Sequence, residues 1–118
     1  MNRVILVAVR DLLFGSKIQE AGKRSGTPLL WASRFERLRD VAAARQPDVI
    51  IADLAEAGML EELAAVKAVR PGVRVVGFAG HVNEAALEGA AALGADEVYT
   101  KGQFSAQVER ILVRERGG

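Results

Sequence analysis

An α/β domain built on a doubly wound, five-stranded parallel sheet is the fold this 118-residue sequence predicts. Five short apolar runs alternate along the chain with longer segments of helical periodicity. The first, third and fourth runs are nearly continuous in Val and Ile, as in parallel strands covered on both faces. The length suits one domain with one buried core, and half of the residues are hydrophobic.

VILVAV (4–9) reads as the first strand. Asp11 can cap the helix that follows, where Phe14, Ile18 and Ala21 recur at helical spacing and Gly26 marks the end. The second strand is PLLWA (28–32). Ser33 and Glu36 then form an S-x-x-E capping box ahead of Leu38, Val41 and Ala42 in a second helix. The third strand, DVIIAD (48–53), precedes a helix carrying Leu60, Leu63, Ala64 and Lys67 that stops before Pro71 and Gly72. VRVVGFA (73–79) is the fourth strand. Asn83 caps the fourth helix, with Val82 and Leu87 spaced as a hydrophobic staple and Gly94 at its end. EVYT (97–100) is the last strand, and a fifth helix is expected from Ser105 through Val108, Ile111 and Leu112. Residues 114–118 (RERGG) read as a loose C-terminal tail, so that 1–118 forms one domain.

Strict alternation of this kind gives right-handed crossovers and a flavodoxin-like order, 2-1-3-4-5, with a shorter Rossmann-type half as the alternative. In such a sheet functional groups gather at the carboxyl ends of the strands. Those ends carry Val9, Arg10 and Asp11, then Asp53, then Ala79, Gly80 and His81, and finally Thr100 and Lys101. Two aspartates and a lysine from distant parts of the chain therefore converge on one rim.

Composition narrows the chemistry. Sixteen basic and fifteen acidic residues leave a net charge of +1, which provides no basic field for nucleic acid. The absence of cysteine removes disulfides and thiolate chemistry and agrees with a cytoplasmic location. The N-terminal apolar run is too short for a signal peptide or a membrane span. His81 is the only histidine, which leaves no nucleophile–base pair, so no enzyme is expected. Phe14-Gly15-Ser16-Lys17 lacks the spacing of a phosphate-binding loop and reads as helix interior.

PDVIIADL (47–54) and VRVVGFAGHVNEAALEGAAALGADEVYTKGQF (73–104) resemble the third strand and the fourth-strand-to-lysine stretch of response-regulator receiver domains, the CheY-like family of two-component signalling. The resemblance spans essentially the whole chain. It implies that Asp53 occupies the phosphoacceptor position and Lys101 the position of the lysine that contacts the phosphoryl group. Ala79 falls where receivers carry the Thr or Ser of the switch, and Tyr99 where they often carry the switching aromatic.

The departures point to a degenerate member, a pseudo-receiver. Receivers end their first strand in an acidic pair that holds Mg²⁺, whereas this chain has Val9 and Arg10 there, with only Asp11 nearby. Mg²⁺ needs several oxygen ligands in near-octahedral order, so no cofactor is expected unless Asp53 remains phosphorylatable. Ala79 supplies no hydroxyl to follow a phosphoryl group, and Gly102 stands where Pro usually follows the lysine.

The favoured reading of Asp53 is accordingly a cap for the loop or helix after the third strand, with Lys101 either its ion-pair partner or a solvated residue. Trp31 reads as core or edge cover. Arg34, Arg37, Arg39 and Arg45 alternate with Glu36 and Asp40 as a solvated face, while Arg110, Arg114 and Arg116 could meet an acidic surface. The expected function is a regulatory module that binds another signalling protein, or itself as a homodimer, through helix 4, strand 5 and helix 5, with Tyr99 and Arg110 in the interface. A phosphorylatable receiver using Asp53 is the second reading, and a small-ligand or anion-binding module using Arg10, Asp11, Asp53 and Lys101 is the third.

Overall fold

Ten elements alternate along the chain: β1 (Ile5–Ala8), α1 (Leu12–Ser25), β2 (Leu30–Trp31), α2 (Leu38–Arg45), β3 (Val49–Asp53), α3 (Met59–Val69), β4 (Arg74–Ala79), α4 (Glu84–Ala92), β5 (Glu97–Thr100) and α5 (Lys101–Arg116). They are taken from a computed structural model that describes residues 2–32, 37–80 and 82–117. The five strands are parallel in the order β2-β1-β3-β4-β5, as the alternation predicts.

The three Val/Ile-rich runs are the central strands β1, β3 and β4, and their apolar side chains divide between two cores. Leu6, Ile50, Ala52 and Val75 pack with Leu63 and Val66 of α3 and Val41 of α2. Ile5, Val7, Ile51, Val76 and Phe78 pack on the other face with Ile18 of α1 and Phe104, Ile111 and Leu112 of α5. Each strand alternates its residues between faces, so both layers of helices are held by the same short runs.

Several boundaries differ from the sequence expectation. β2 has only two residues, because it is an edge strand flanked by Pro28, which has no N–H to donate. α2 begins after Arg37 as N-cap, and the capping box expected at Ser33 and Glu36 lies outside the described residues, as do Arg34 and His81. Asn83 does cap α4, its Oδ1 accepting from Ala86 N at 3.1 Å. The staple expected beside it does not form: Val82 is 82% exposed, whereas Leu87 packs against the core.

α5 starts at Lys101, four residues before Ser105, without any loop after β5. Thr100 Oγ1 accepts from Gln103 N at 3.1 Å and Gln103 Oε1 accepts from Thr100 N at 3.0 Å, a complete capping box. The expected loose tail is also corrected. The helix continues through Arg116, and Glu115 is 1% exposed on the buried stripe of Ile111 and Leu112. Arg74 Nε donates to Glu115 Oε1 at 2.7 Å, Arg116 Nη1 to Ser25 O at 2.7 Å, and Arg3 N to Arg116 O at 2.7 Å. The end of α5 is thus bound to β4, to the segment before β1 and to α1.

Candidate functional site at the carboxyl rim of the sheet

The central strands end on one rim, and the chain turns there from strand to helix three times. After β1, Asp11 Oδ1 accepts from Phe14 N at 3.0 Å, which makes it the N-cap of α1. That hydrogen bond outweighs the opposing desolvation and, with help from the Lys101 charge, holds the Asp11 carboxyl below its ordinary 3.8. After β3, Asp53 is 6% exposed and its Oδ1 accepts from Ala55 N at 3.0 Å. This is an Asx turn, the local cap favoured by the sequence. Ala79 at the end of β4 is fully buried beside it in the sheet.

Lys101 does not ion-pair with Asp53. Among the described residues its partner is Asp11, with Nζ 3.8 Å from Oδ2, and the ammonium also lies 5.5 Å from the Phe14 ring centroid. α5 begins at Lys101 itself, so the lysine leaves the rim on a helix turn directed toward α1.

Sequence reasoning missed Glu56 altogether. Arg10 N donates to Glu56 Oε1 at 2.7 Å, and Arg10 Nε lies 3.4 Å from Glu56 Oε2. Glu56 is itself placed by the turn after β3, where its N–H donates to Asp53 O at 3.3 Å. The residues that replace the expected acidic pair are therefore Val9, which is buried, and Arg10, whose charge is neutralised by a carboxylate from the next loop.

Mg²⁺ does not fit this donor set. Both Glu56 oxygens face Arg10, Asp11 is divided between Phe14 N and Lys101, and Asp53 has given one oxygen to Ala55 N. Among the described residues no three His, Asp or Glu side chains converge to hold a metal ion.

The α4–β5–α5 face contains the other expected residues. Tyr99 is half-buried, its ring edge-on to Phe104 with centroids 6.1 Å apart, and its hydroxyl donates to Glu97. Burial, and then the Glu97 hydrogen bond, raise the Tyr99 hydroxyl above its ordinary 10.0. Glu97 also accepts from Arg114 Nη2 at 2.6 Å, and Arg114 Nη2 lies 3.1 Å from Glu115 Oε2. Tyr99 is thereby tied to an ionic chain running to Arg74, which the sequence did not reveal. Arg110 is exposed on α5.

The receiver domain of NtrX from Brucella abortus superposes with a TM-score of 0.78 at 20% identity, covering 94% of this chain and 96% of that one. The chemotaxis response regulator CheY4 of Vibrio cholerae gives 0.74 at 17% identity, with 98% and 99% covered. The fold is that of a response-regulator receiver domain. An orphan response regulator of H. pylori shares it as well, with a TM-score of 0.75 at 17% identity over 96% of this chain and 97% of that one. No family model and no curated protein sequence matches the chain. Within the receiver fold Asp53 stands at the end of β3 and Lys101 directly after β5, while Arg10 and Ala79 end the other two rim strands. No described helix is long and apolar enough to cross a membrane.

Proposed function

We propose that this chain is a receiver-like regulatory module that acts by binding another signalling protein, without magnesium-dependent phosphorylation of Asp53 and without enzymatic activity of its own. The observation that carries this reading is the Arg10–Glu56 pair at the end of β1, where phosphoryl transfer would need free carboxylates around a divalent ion. Ala79 supports it, since a buried methyl offers no hydroxyl to couple Asp53 to the output face.

Partner binding is assigned to the α4–β5–α5 face, which a partner protein or a second copy of the chain would occupy. Arg110 is exposed there and Tyr99 is half-buried, so Arg110 offers direct contact while Tyr99 shapes the surface. Arg110→Glu and Tyr99→Ala should each weaken partner or self association while leaving the far-UV circular dichroism intact. Unchanged association in both variants would remove the face from consideration.

The deciding experiment is an NMR titration of the labelled protein with Mg²⁺ and then beryllofluoride, beside Asp53→Asn. No saturable shift at millimolar Mg²⁺ supports the proposal. Saturable shifts around Asp53 and Lys101 that vanish in the variant would restore the phosphorylatable receiver.

A further inference from the structure

The edge of the sheet opposite β5 has an unusual backbone economy. β2 pairs with β1 in the register Leu6 to Leu30 and Val7 to Trp31, and Ala32 N donates to Val7 O at 3.0 Å. In a parallel ladder alternate residues direct their N–H and C=O toward the neighbour. Leu30 and Ala32 therefore face β1, and Trp31 directs both backbone groups away from the sheet. Edge strands are usually blunted by charge or by proline within the strand. Here residues 28–32 carry no charge, and the proline precedes the strand.

Trp31 also lines three surface cavities. On the α1 side, cavities of about 290 Å³ and about 380 Å³ share Gln19 and Trp31. On the α2 side a third, of about 310 Å³, is lined by Leu6, Leu30, Trp31 and Val41 together with Asp40 and Arg45. An added strand alternates its side chains between the two faces, so each row would find a depression. The indole is 40% exposed between them.

Charge indicates what would lie there. Lys23 lines the α1-side cavity and Arg45 the α2-side cavity, and among the described residues neither has a carboxylate partner. Asp40, the acidic residue of the α2-side groove, is neutralised by Arg37 at 3.2 Å. Among the described residues each bank thus presents a cation without a carboxylate partner.

We propose that the β2 edge is a docking site for an extended acidic peptide segment of a partner protein. The segment adds as a sixth strand beside Trp31, with carboxylates near Lys23 and Arg45 and an apolar side chain against the indole. Main-chain hydrogen bonds supply affinity in such strand addition, and the alternating depressions supply selectivity. The site lies at the opposite edge from the α4–β5–α5 face and does not depend on the state of Asp53.

The test uses the whole chain and a phage library of random dodecapeptides, followed by titration of the enriched peptides. Trp31 is the sole tryptophan, so its fluorescence reports directly on the edge. Enriched sequences should alternate acidic and apolar residues and shift the emission saturably. Lys23→Glu combined with Arg45→Glu should weaken binding about tenfold or more, with folding checked by circular dichroism. N-methylation of every second peptide amide should abolish binding in one register and be tolerated in the other, a pattern that side-chain docking alone does not produce. Recovery of no binding peptide, or of peptides indifferent to both charge reversals, would overturn the proposal. Equal tolerance of N-methylation at all positions would do the same. Self-association of the chain that Trp31→Ala abolishes would reassign the edge to a second copy and overturn the peptide assignment.

Discussion

Arg10 and Glu56 close the end of β1 with two contacts, a 2.7 Å hydrogen bond from the Arg10 N–H and a 3.4 Å approach of its Nε. The first holds the backbone of the rim and the second neutralises its charge. A basic residue at a strand end would ordinarily repel a divalent ion. Here the residue also engages both Glu56 oxygens, Oε1 through its backbone N–H and Oε2 through its guanidinium.

Reversing that residue should therefore restore cation binding. Arg10→Asp removes the guanidinium from Glu56 Oε2, leaves the backbone N–H bond to Oε1 in place, and adds a carboxylate near Asp53, enough oxygen donors for an ion that keeps several of its waters. Titrated with millimolar Mg²⁺, the variant should show saturable amide shifts at Asp53 and Glu56 where the parent protein shows none. A silent variant would mean that the Asp53 pocket rejects the ion for a reason other than Arg10.

Acid should destabilise the fold through identifiable carboxylates. Glu62 is held below its ordinary 4.5 by its hydrogen bond from Arg39, whose Nη2 is 2.7 Å away. At Asp96 and Glu97 burial is the largest influence and pushes upward, but hydrogen bonds and neighbouring cations outweigh it and bring both below their ordinary 3.8 and 4.5. A depressed carboxyl contributes stability above its unfolded value and loses it as pH falls through its folded value. The urea midpoint should hold down to about pH 5 and then fall steadily toward about pH 2. Glu62→Gln should flatten part of that slope; an unchanged slope would remove Glu62 from the account.

Two glycines of α1 should respond in opposite directions to alanine. A Cβ at Gly15 would meet the Trp31 ring at 3.7 Å, an ordinary contact, so the gain in helix propensity should stabilise by up to about 1 kcal/mol. A Cβ at Gly22 would lie 2.9 Å from Leu29 Cδ1 and 3.2 Å from the Thr27 carbonyl oxygen, which cannot easily withdraw. Gly22→Ala should therefore destabilise by about 1–3 kcal/mol. Urea denaturation of the two variants separates the cases, and a stabilised Gly22→Ala would contradict the packing argument.

These contrasts show where the sequence was legible. The continuous Val and Ile runs identified β1, β3 and β4, because a strand buried on both faces leaves few other compositions. Asp11 was readable as a cap because its partner, Phe14 N, is three residues away. Glu56 was not, because its partner Arg10 is 46 residues distant and the two meet only once β1 and β3 are paired. The start of α5 was written locally in Thr100 and Gln103, yet Ser105, a stronger cap by type alone, drew the boundary four residues too late. The polar composition of residues 114–118 concealed that Glu115 lies four residues after Ile111 and three after Leu112, on the buried side of the helix.

Glu115 provides the sharpest test of that last point. Its carboxylate is held by Arg74 Nε at 2.7 Å and Arg74 Nη2 at 3.0 Å, a bidentate pair with one partner almost fully enclosed. Removing the acid leaves a cavity beside Arg74, although the arginine keeps its contact to Glu97 Oε2 at 3.3 Å and about a third of its exposure, and can recover some hydration. Glu115→Ala should accordingly destabilise the fold by about 2–4 kcal/mol, the lower part of the range reflecting that recovery. Glu115→Gln retains the shape and one acceptor and should lose less. Chemical denaturation of both variants measures the difference, and a truncation after Arg114 should cost at least as much as the alanine variant, since it also removes the Arg116 contacts to Ser25 and Arg3. If either the truncation or the alanine change left the midpoint unmoved, the end of α5 would be the loose tail that its composition suggests.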